Sequence, residues 1–144
     1  MKQLIVYYSY SGDTAKLAAE LAEKRGCDLL EVKDAPARPG KLRAYISGSF
    51  AAIFGKGWEI RPLALELSEY DRLTIMAPVW AGGPPPQVNR FFELLPAGKN
   101  VEVILVSASG KSNCKQKLED KLSDRGCTML GLQNICSKTP AYLE

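Results

Sequence analysis

Histidine is absent from this 144-residue sequence, and its absence excludes a large share of enzyme chemistry. Without histidine there is no Ser-His-Asp triad and no Cys-His pair, and the commonest ligand of transition metals is missing. The four cysteines contain no C-x-x-C pair, so we interpret them as thiols at small apolar positions. We therefore expect any chemistry to come from a bound group rather than from the side chains.

Long apolar runs and blocks of like charge are missing as well. No run approaches the ~18 apolar residues of a membrane span, and the net charge of +3 contains no basic block that would favour a nucleic acid. The N-terminus enters a predicted strand directly, without a signal or targeting segment, and this predicts a cytoplasmic protein with no membrane partner. The length predicts a single domain over residues 1–144.

The first informative stretch is a β-branched, aromatic-rich run that ends in a hydroxyl-rich turn at residues 9–14. Apolar residues then recur at helical spacing, which predicts a helix over 14–25 packed against the strand, as in a βαβ unit. The turn therefore lies at a helix N-terminus, where free amides and the helix dipole favour a bound anion. The alternative is an ordinary strand-to-helix turn capped by Ser11 or Asp13.

The second informative stretch is a Pro- and Gly-rich loop that follows a predicted strand at residues 72–77. It carries a single large aromatic residue, Trp80, at the carboxyl end of that strand. A tryptophan held there by prolines and glycines is well placed to cover a flat aromatic ligand. The alternative is a tryptophan folded back onto the core.

The remaining segments complete an alternating β/α pattern. Residues 27–33 alternate apolar with charged residues and predict an edge strand, whereas a second amphipathic helix is predicted within 42–53. Strands are predicted at 101–106 and at 128–135, with a helix between them. Because strands 1, 3 and 4 are nearly continuous apolar runs, the pattern predicts the parallel order 2-1-3-4-5, in which the two informative loops meet at the topological switch point.

The turn at 9–14 resembles the phosphate loop of the flavodoxin family, S/T-x-S/T-G-x-T after the first strand, where the FMN phosphate is bound without a countercharge. The P-V-W-x-G-x-x-P segment that begins at Pro78 is similar to a loop of many short members of that family. Asp13 departs from the pattern, because the family commonly has Asn there. An Asp beside a phosphate would repel it, so we expect Asp13 to point outward or to cap the first turn.

The resemblance implies an α/β, three-layer flavodoxin-like fold with a five-stranded parallel sheet in order 2-1-3-4-5 and a fifth helix that is short or absent. It implies FMN as the cofactor, with its phosphate at the first loop and its ring between the loops after strands 3 and 4. The cofactor-binding residues implied in this way are Ser9, Tyr10, Ser11, Gly12, Asp13, Thr14, Pro78, Val79, Trp80, Ala81, Gly82, Gly83, Ser107, Ala108, Ser109 and Gly110.

Two functions from different classes follow from the resemblance: an electron carrier that passes electrons to a redox partner protein, or an FMN-dependent NAD(P)H:quinone-type reductase of a small electron acceptor. A flavodoxin fold that has lost FMN and serves as an interaction module is a third. No acidic residue lies between Asp71 and Glu93, which disfavours the carboxylate-rich partner interface of acidic carriers. We also expect a homodimer, because the eight residues after Cys136 can only partly cover the apolar ground under a fifth helix. The alternative is that residues 137–144 cross this gap as an irregular strap.

Overall fold

The computed structural model describes residues 2–34 and 59–137 of the chain. Five strands in this part form one parallel sheet in the order β2-β1-β3-β4-β5, which confirms the predicted fold class and strand order. The strands are β1 (Gln3–Tyr7), β2 (Asp28–Glu31), β3 (Arg72–Pro78), β4 (Asn100–Ser107) and β5 (Thr128–Cys136). The predicted helix within 42–53, and any helix after residue 137, lie outside the described residues.

Three α-helices and one short 3₁₀ helix connect the strands of the described part. The helices are α1 (Asp13–Arg25), α2 (Pro86–Glu93) and α3 (Lys115–Asp124), and the 3₁₀ helix is Leu67–Glu69. Pro86 is the first residue of α2, where its missing amide hydrogen costs no helical hydrogen bond. Gly26 ends α1 with a left-handed φ of 62°, and its amide donates to the carbonyls of Ala22 and Glu23.

The larger part of the core lies on the sheet face that α2 and α3 cover. Alternate residues of each central strand point to this face, as the two-residue period of a strand requires. The helices contribute Phe91 and Phe92 from α2 and Leu118 and Leu122 from α3. Buried residues that the strands contribute are Leu4, Val6, Leu73, Ile75, Ala77, Val101, Val103 and Leu105.

A smaller core lies on the opposite face, under α1. Ala18, Leu21 and Ala22 of the helix pack there against buried residues of four strands, namely Ile5, Met76, Ile104 and Ile135. Strands β1, β3 and β4 are thus buried on both faces, which explains their nearly continuous apolar sequences. The carboxyl ends of all five strands lie along one edge of the sheet, called the carboxyl edge below, and their starts define the amino edge.

A charged cluster occupies the α1 face near the amino edge. Arg25 Nη1 donates to Thr74 Oγ1 and to Glu102 Oε1, both at 3.0 Å, and the Thr74 hydroxyl donates to the same carboxylate at 2.9 Å. Burial acts to raise the pKa of Glu102. Hydrogen bonds from Arg25 and Thr74, together with the positive charges of Arg25 and Arg72, outweigh the effect of burial. The net result is a pKa below the ordinary value.

Replacing this carboxylate, Glu102→Gln, is expected to destabilise the fold at neutral pH by about 1.5 to 3 kcal/mol, because hydrogen bonds to a charged group are lost. A carboxyl whose folded pKa is depressed stabilises the fold above its unfolded pKa, and this stabilisation is lost as the pH falls through the folded value. The difference between variant and wild type should therefore shrink on acidification from pH 7 to about pH 3. Urea unfolding at both pH values measures it.

The matched control is Glu93→Gln. Glu93 pairs with Arg90 at 3.7 Å but is 41% exposed, and an exposed pair of this kind contributes less than about 1 kcal/mol. An equal loss of unfolding free energy in the two variants would contradict the stabilising role of the Glu102 carboxylate. A destabilisation of Glu102→Gln that persists at low pH would contradict it as well.

A second polar network closes the amino edge between β2, β3 and β4. The buried Lys99 donates through Nζ to the Tyr70 carbonyl at 2.6 Å, and the Tyr70 hydroxyl donates to Asp28 Oδ2 at 2.6 Å. The hydrogen bond to Asp28, together with burial, raises the pKa of Tyr70 to about 12. This hydroxyl therefore stays protonated at any physiological pH.

The remaining sequence expectations concern cysteines and membrane spans. None of the four cysteines forms a disulfide, and Cys114 and Cys127 are buried as expected, whereas Cys27 and Cys136 are only half-buried. Within residues 2–34 and 59–137, no helix has the length and apolar character needed to cross a membrane.

Candidate functional site

The turn at residues 9–14, called the N-terminal turn below, joins β1 to α1 at the carboxyl edge. Gly12 adopts a left-handed φ of 102° there, and its amide donates to Ser9 Oγ at 3.0 Å. A Cβ built on Gly12 would meet no atom within 4 Å, so the space above the turn is open. Because the Ser9 oxygen accepts this bond, its own hydroxyl hydrogen is left to donate to a ligand.

Helix α1 begins directly after Gly12 without a capping side chain among the described residues. The predicted alternative, a turn capped by Ser11 or Asp13, is therefore not what the structure contains. Asp13 is exposed in the first turn, in agreement with the expectation that it points outward. The first amides of a helix have no partner within the helix, so an uncapped N-terminus with hydroxyls beside it suits an anion.

The Trp80 loop, residues 79–83, follows β3 at the same edge. Its conformation is fixed by two backbone hydrogen bonds, from the Trp80 amide to the Gly83 carbonyl at 2.7 Å and from the Gly83 amide to the Trp80 carbonyl at 3.2 Å. Ala81 lies at the exposed tip with a φ of 51°, and Gly82 follows with a φ of 85°. This tight reversal turns the Trp80 side chain away from the tip.

The Trp80 side chain is buried, with 5% of its surface exposed, and it belongs to the core under α2 and α3. Its ring packs edge-on against two tyrosines, Tyr8 directly after β1 and Tyr10 in the N-terminal turn. The ring centroids lie 6.3 Å apart for Tyr8 and 5.4 Å apart for Tyr10, with an interplanar angle of 83° in both pairs. Trp80 therefore joins the Trp80 loop to the N-terminal turn.

The loop after β4, residues 107–113, is joined to the Trp80 loop through the backbone. The Asn113 amide donates to the Gly82 carbonyl at 3.0 Å, and just before the loop the Val79 amide donates to the carbonyl of Val106, in β4, at 3.2 Å. A Cβ at Gly82 would collide with the Asn113 side chain, so glycine is needed for this approach. The Ser107 hydroxyl accepts from the Gly110 amide at 3.0 Å, which closes the loop as a compact turn.

Sequence reasoning missed several residues that shape this edge. Tyr8 is one of them, and its hydroxyl donates to both carboxylate oxygens of Asp34 at 3.2 Å. Gln87, fully buried in the first turn of α2, donates to Asp34 Oδ1 at 2.8 Å. The alternation of Leu4 and Val6 in β1 with Tyr8 directly after it could have predicted that Tyr8 faces α2. Nothing in the sequence, however, linked Tyr8 to residues so distant along the chain.

Among the described residues of this edge, the buried Cys114 thiol is a poor nucleophile. Burial raises the pKa of the Cys114 thiol, and the hydrogen bond with Ser112 offsets only part of that effect. The described part of the chain also contains no cluster of three or more acidic, cysteine or histidine residues that could hold a metal ion.

The structure brings the three predicted groups of site residues to one edge, around the switch point between β1 and β3. The hydroxyl-rich turn at a helix N-terminus fits a phosphate, and two loops of mostly small residues adjoin it. The individual assignments at Ser9–Thr14, Pro78–Gly83 and Ser107–Gly110 stay predictions. Trp80 and Thr14, both expected to contact the ligand, are buried in this structure.

Comparison with known proteins identifies the family. The sequence model of the flavodoxin family matches residues 2–131. A protein of Bacteroides eggerthii assigned as a flavoprotein is 25% identical, with a TM-score of 0.75 over 96% of this chain and 90% of that one. A similarly assigned protein of Bacteroides uniformis is 25% identical, with a TM-score of 0.72 over 91% and 88%.

A flavoprotein of Lactobacillus acidophilus, solved in complex with FMN, is 24% identical, with a TM-score of 0.72 over 91% of each chain. At that identity it supports the fold alone. No curated protein sequence matches the chain significantly.

Proposed function

Because this chain belongs to the flavodoxin family, we propose that it binds FMN at the carboxyl edge and acts in electron transfer. The observation that carries the proposal is the uncapped N-terminus of α1 behind a hydroxyl-rich turn, next to two joined loops of small residues. A structural relative that is solved in complex with FMN adds support. FMN, when bound, accepts and donates one or two electrons.

The chain itself supplies binding and orientation. Ser9, Ser11 and the first amides of α1 would donate to the phosphate, and the N-terminal turn brings no positive charge of its own, since no Lys or Arg lies between Lys2 and Lys16. The Trp80 loop and the loop at residues 107–113 would hold the ring between them. The backbone hydrogen bond from Asn113 to Gly82 holds these two loops together at this end of the site.

The proposal is tested by titrating the protein with FMN and following the fluorescence of the flavin. Ser11→Ala and Thr14→Val each remove a hydroxyl that would face the anion, and each should weaken FMN about tenfold to a hundredfold. Ser123→Ala, in the exposed last turn of α3, serves as the control and should bind FMN like the wild type. Unchanged affinity in both hydroxyl variants, or no binding by the wild type, would refute the placement.

A reductase of small acceptors is the second candidate, and the surface charge favours it. The exposed lysines at positions 111, 115 and 117 lie in or directly after the loop that follows β4, and no acidic residue lies between Glu102 and Glu119. An edge of this charge suits an anionic substrate such as NADPH better than it suits a basic redox partner. Rapid anaerobic oxidation of NADPH by the FMN-loaded protein alone would favour the reductase over the carrier.

The partner is proposed to be a redox protein or a small electron acceptor, according to which of these functions holds. The homodimer stays a prediction, and sedimentation at micromolar concentration measures it directly. A particle of monomer mass would contradict it.

A further inference from the structure

We propose that Trp80 is a positioning residue for the N-terminal turn, acting through Tyr10, rather than a cover for the flavin ring. The inference rests on the proposed FMN site and assigns a role within it. Almost no surface of Trp80 is available to a ligand, since 5% of the side chain is exposed. Its ring instead meets Tyr10, the second residue of the turn, at 5.4 Å and nearly at a right angle.

Edge-on aromatic pairs of this geometry are attractive, because the positive edge of one ring meets the negative face of the other. Tyr10 is half-buried, so the contact with Trp80 restricts one residue of a turn that is otherwise exposed at Ser11, Gly12 and Asp13. The position of Tyr10 fixes its neighbours Ser9 and Ser11 through the backbone. Trp80 thereby orders the hydroxyls that would face the phosphate.

Trp80 can serve this purpose because it is itself held both through its backbone and through Tyr8. Its backbone is closed on Gly83 by two hydrogen bonds. Tyr8 packs against its ring, and the Tyr8 hydroxyl is bound to Asp34, which also accepts from the fully buried Gln87. Through these contacts, the ring fixes the N-terminal turn relative to β3, Asp34 and α2.

The experiment compares the affinities for FMN and for riboflavin, which lacks the phosphate. If Trp80 orders the N-terminal turn, Trp80→Leu should lower the preference for FMN, measured as the ratio of FMN affinity to riboflavin affinity, roughly threefold to tenfold, as expected for the loss of one aromatic pair. The riboflavin affinity itself should change little. If Trp80 covers the ring, both flavins should weaken by the same factor and the preference should not change. That result would overturn the inference, as would a variant that binds both flavins like the wild type.

Three further variants separate positioning from general damage. Trp80→Phe keeps an aromatic ring and should recover most of the preference. Tyr10→Leu removes the same contact from the other side and should narrow the preference even if Trp80→Leu fails to fold. Combined with Trp80→Leu, it should add little, since residues that act through each other are not additive. Phe92→Leu alters a buried aromatic in α2 and should leave the preference unchanged.

The outcomes distinguish this inference from the proposed function. If the wild-type protein binds FMN and riboflavin equally well, the proposed phosphate site itself is refuted. A wild-type protein that prefers FMN, with Trp80 and Tyr10 variants that keep the full preference, leaves FMN binding in place and refutes only the positioning role.

Discussion

Riboflavin is expected to bind this chain roughly a hundredfold to ten-thousandfold more weakly than FMN, because it cannot use the N-terminal turn. The turn offers hydroxyls and uncapped helix amides, and hydrogen bonds to a charged group contribute about 1.5 to 3 kcal/mol each. Two such bonds account for the expected range. Isothermal titration with each flavin, under identical buffer conditions, measures the difference.

Ser11→Ala provides the internal control for this comparison. It should weaken FMN binding while leaving riboflavin binding nearly unaffected, since in the proposed site the lost hydroxyl would contact only the phosphate. Because the phosphate would be held by neutral donors rather than by lysine or arginine, added salt should change the preference little. Equal binding of the two flavins by the wild type would show that the anion site lies elsewhere.

Phe91→Ala is expected to have the largest effect on stability, a loss of about 3 to 5 kcal/mol. Phe91 is completely buried where α2 packs on the sheet, so truncation removes its apolar contacts and leaves a cavity. For a domain whose total stability is about 5 to 15 kcal/mol, this is a large fraction. Urea unfolding should show a lower midpoint with an unchanged slope.

Leu94→Ala is the matched control, one residue beyond the end of the same helix. Leu94 is 39% exposed, so its truncation should change the free energy of unfolding far less than that of Phe91. Similar losses at the two positions would indicate that α2 does not pack on the sheet as described.

Strand order was predictable from this sequence because burial on both faces leaves a direct trace in composition. A strand such as β3, with Leu73 to Ala77 all buried, must be mostly apolar, and its one buried polar side chain, Thr74, is hydrogen-bonded; β2 at the sheet edge can instead alternate with charge. Order, crossover geometry and the switch point then follow from a small set of rules for parallel sheets. The same rules brought the two informative loops to one edge.

The direction of a single side chain in a loop was not predictable in this way. Trp80 points into the core because Ala81 and Gly82 adopt positive φ and because Tyr8 and Tyr10 offer ring surfaces. The second condition depends on residues some seventy positions away, which no local pattern reports. The contacts of Asp34 with Tyr8 and Gln87, and of Arg25 with Glu102, were missed for the same reason.

The charged networks at the amino edge have a consequence for how this chain can evolve. Arg25, Glu102, Lys99 and Tyr70 lie at the opposite end of the strands from the three loops that would hold a ligand. Substitutions there can adjust the lifetime of the folded chain while the ligand loops stay as they are. When stability and activity depend on the same residues, a gain in one usually costs the other. Here they depend on different residues, so the ligand loops can vary while substitutions at the amino edge adjust stability.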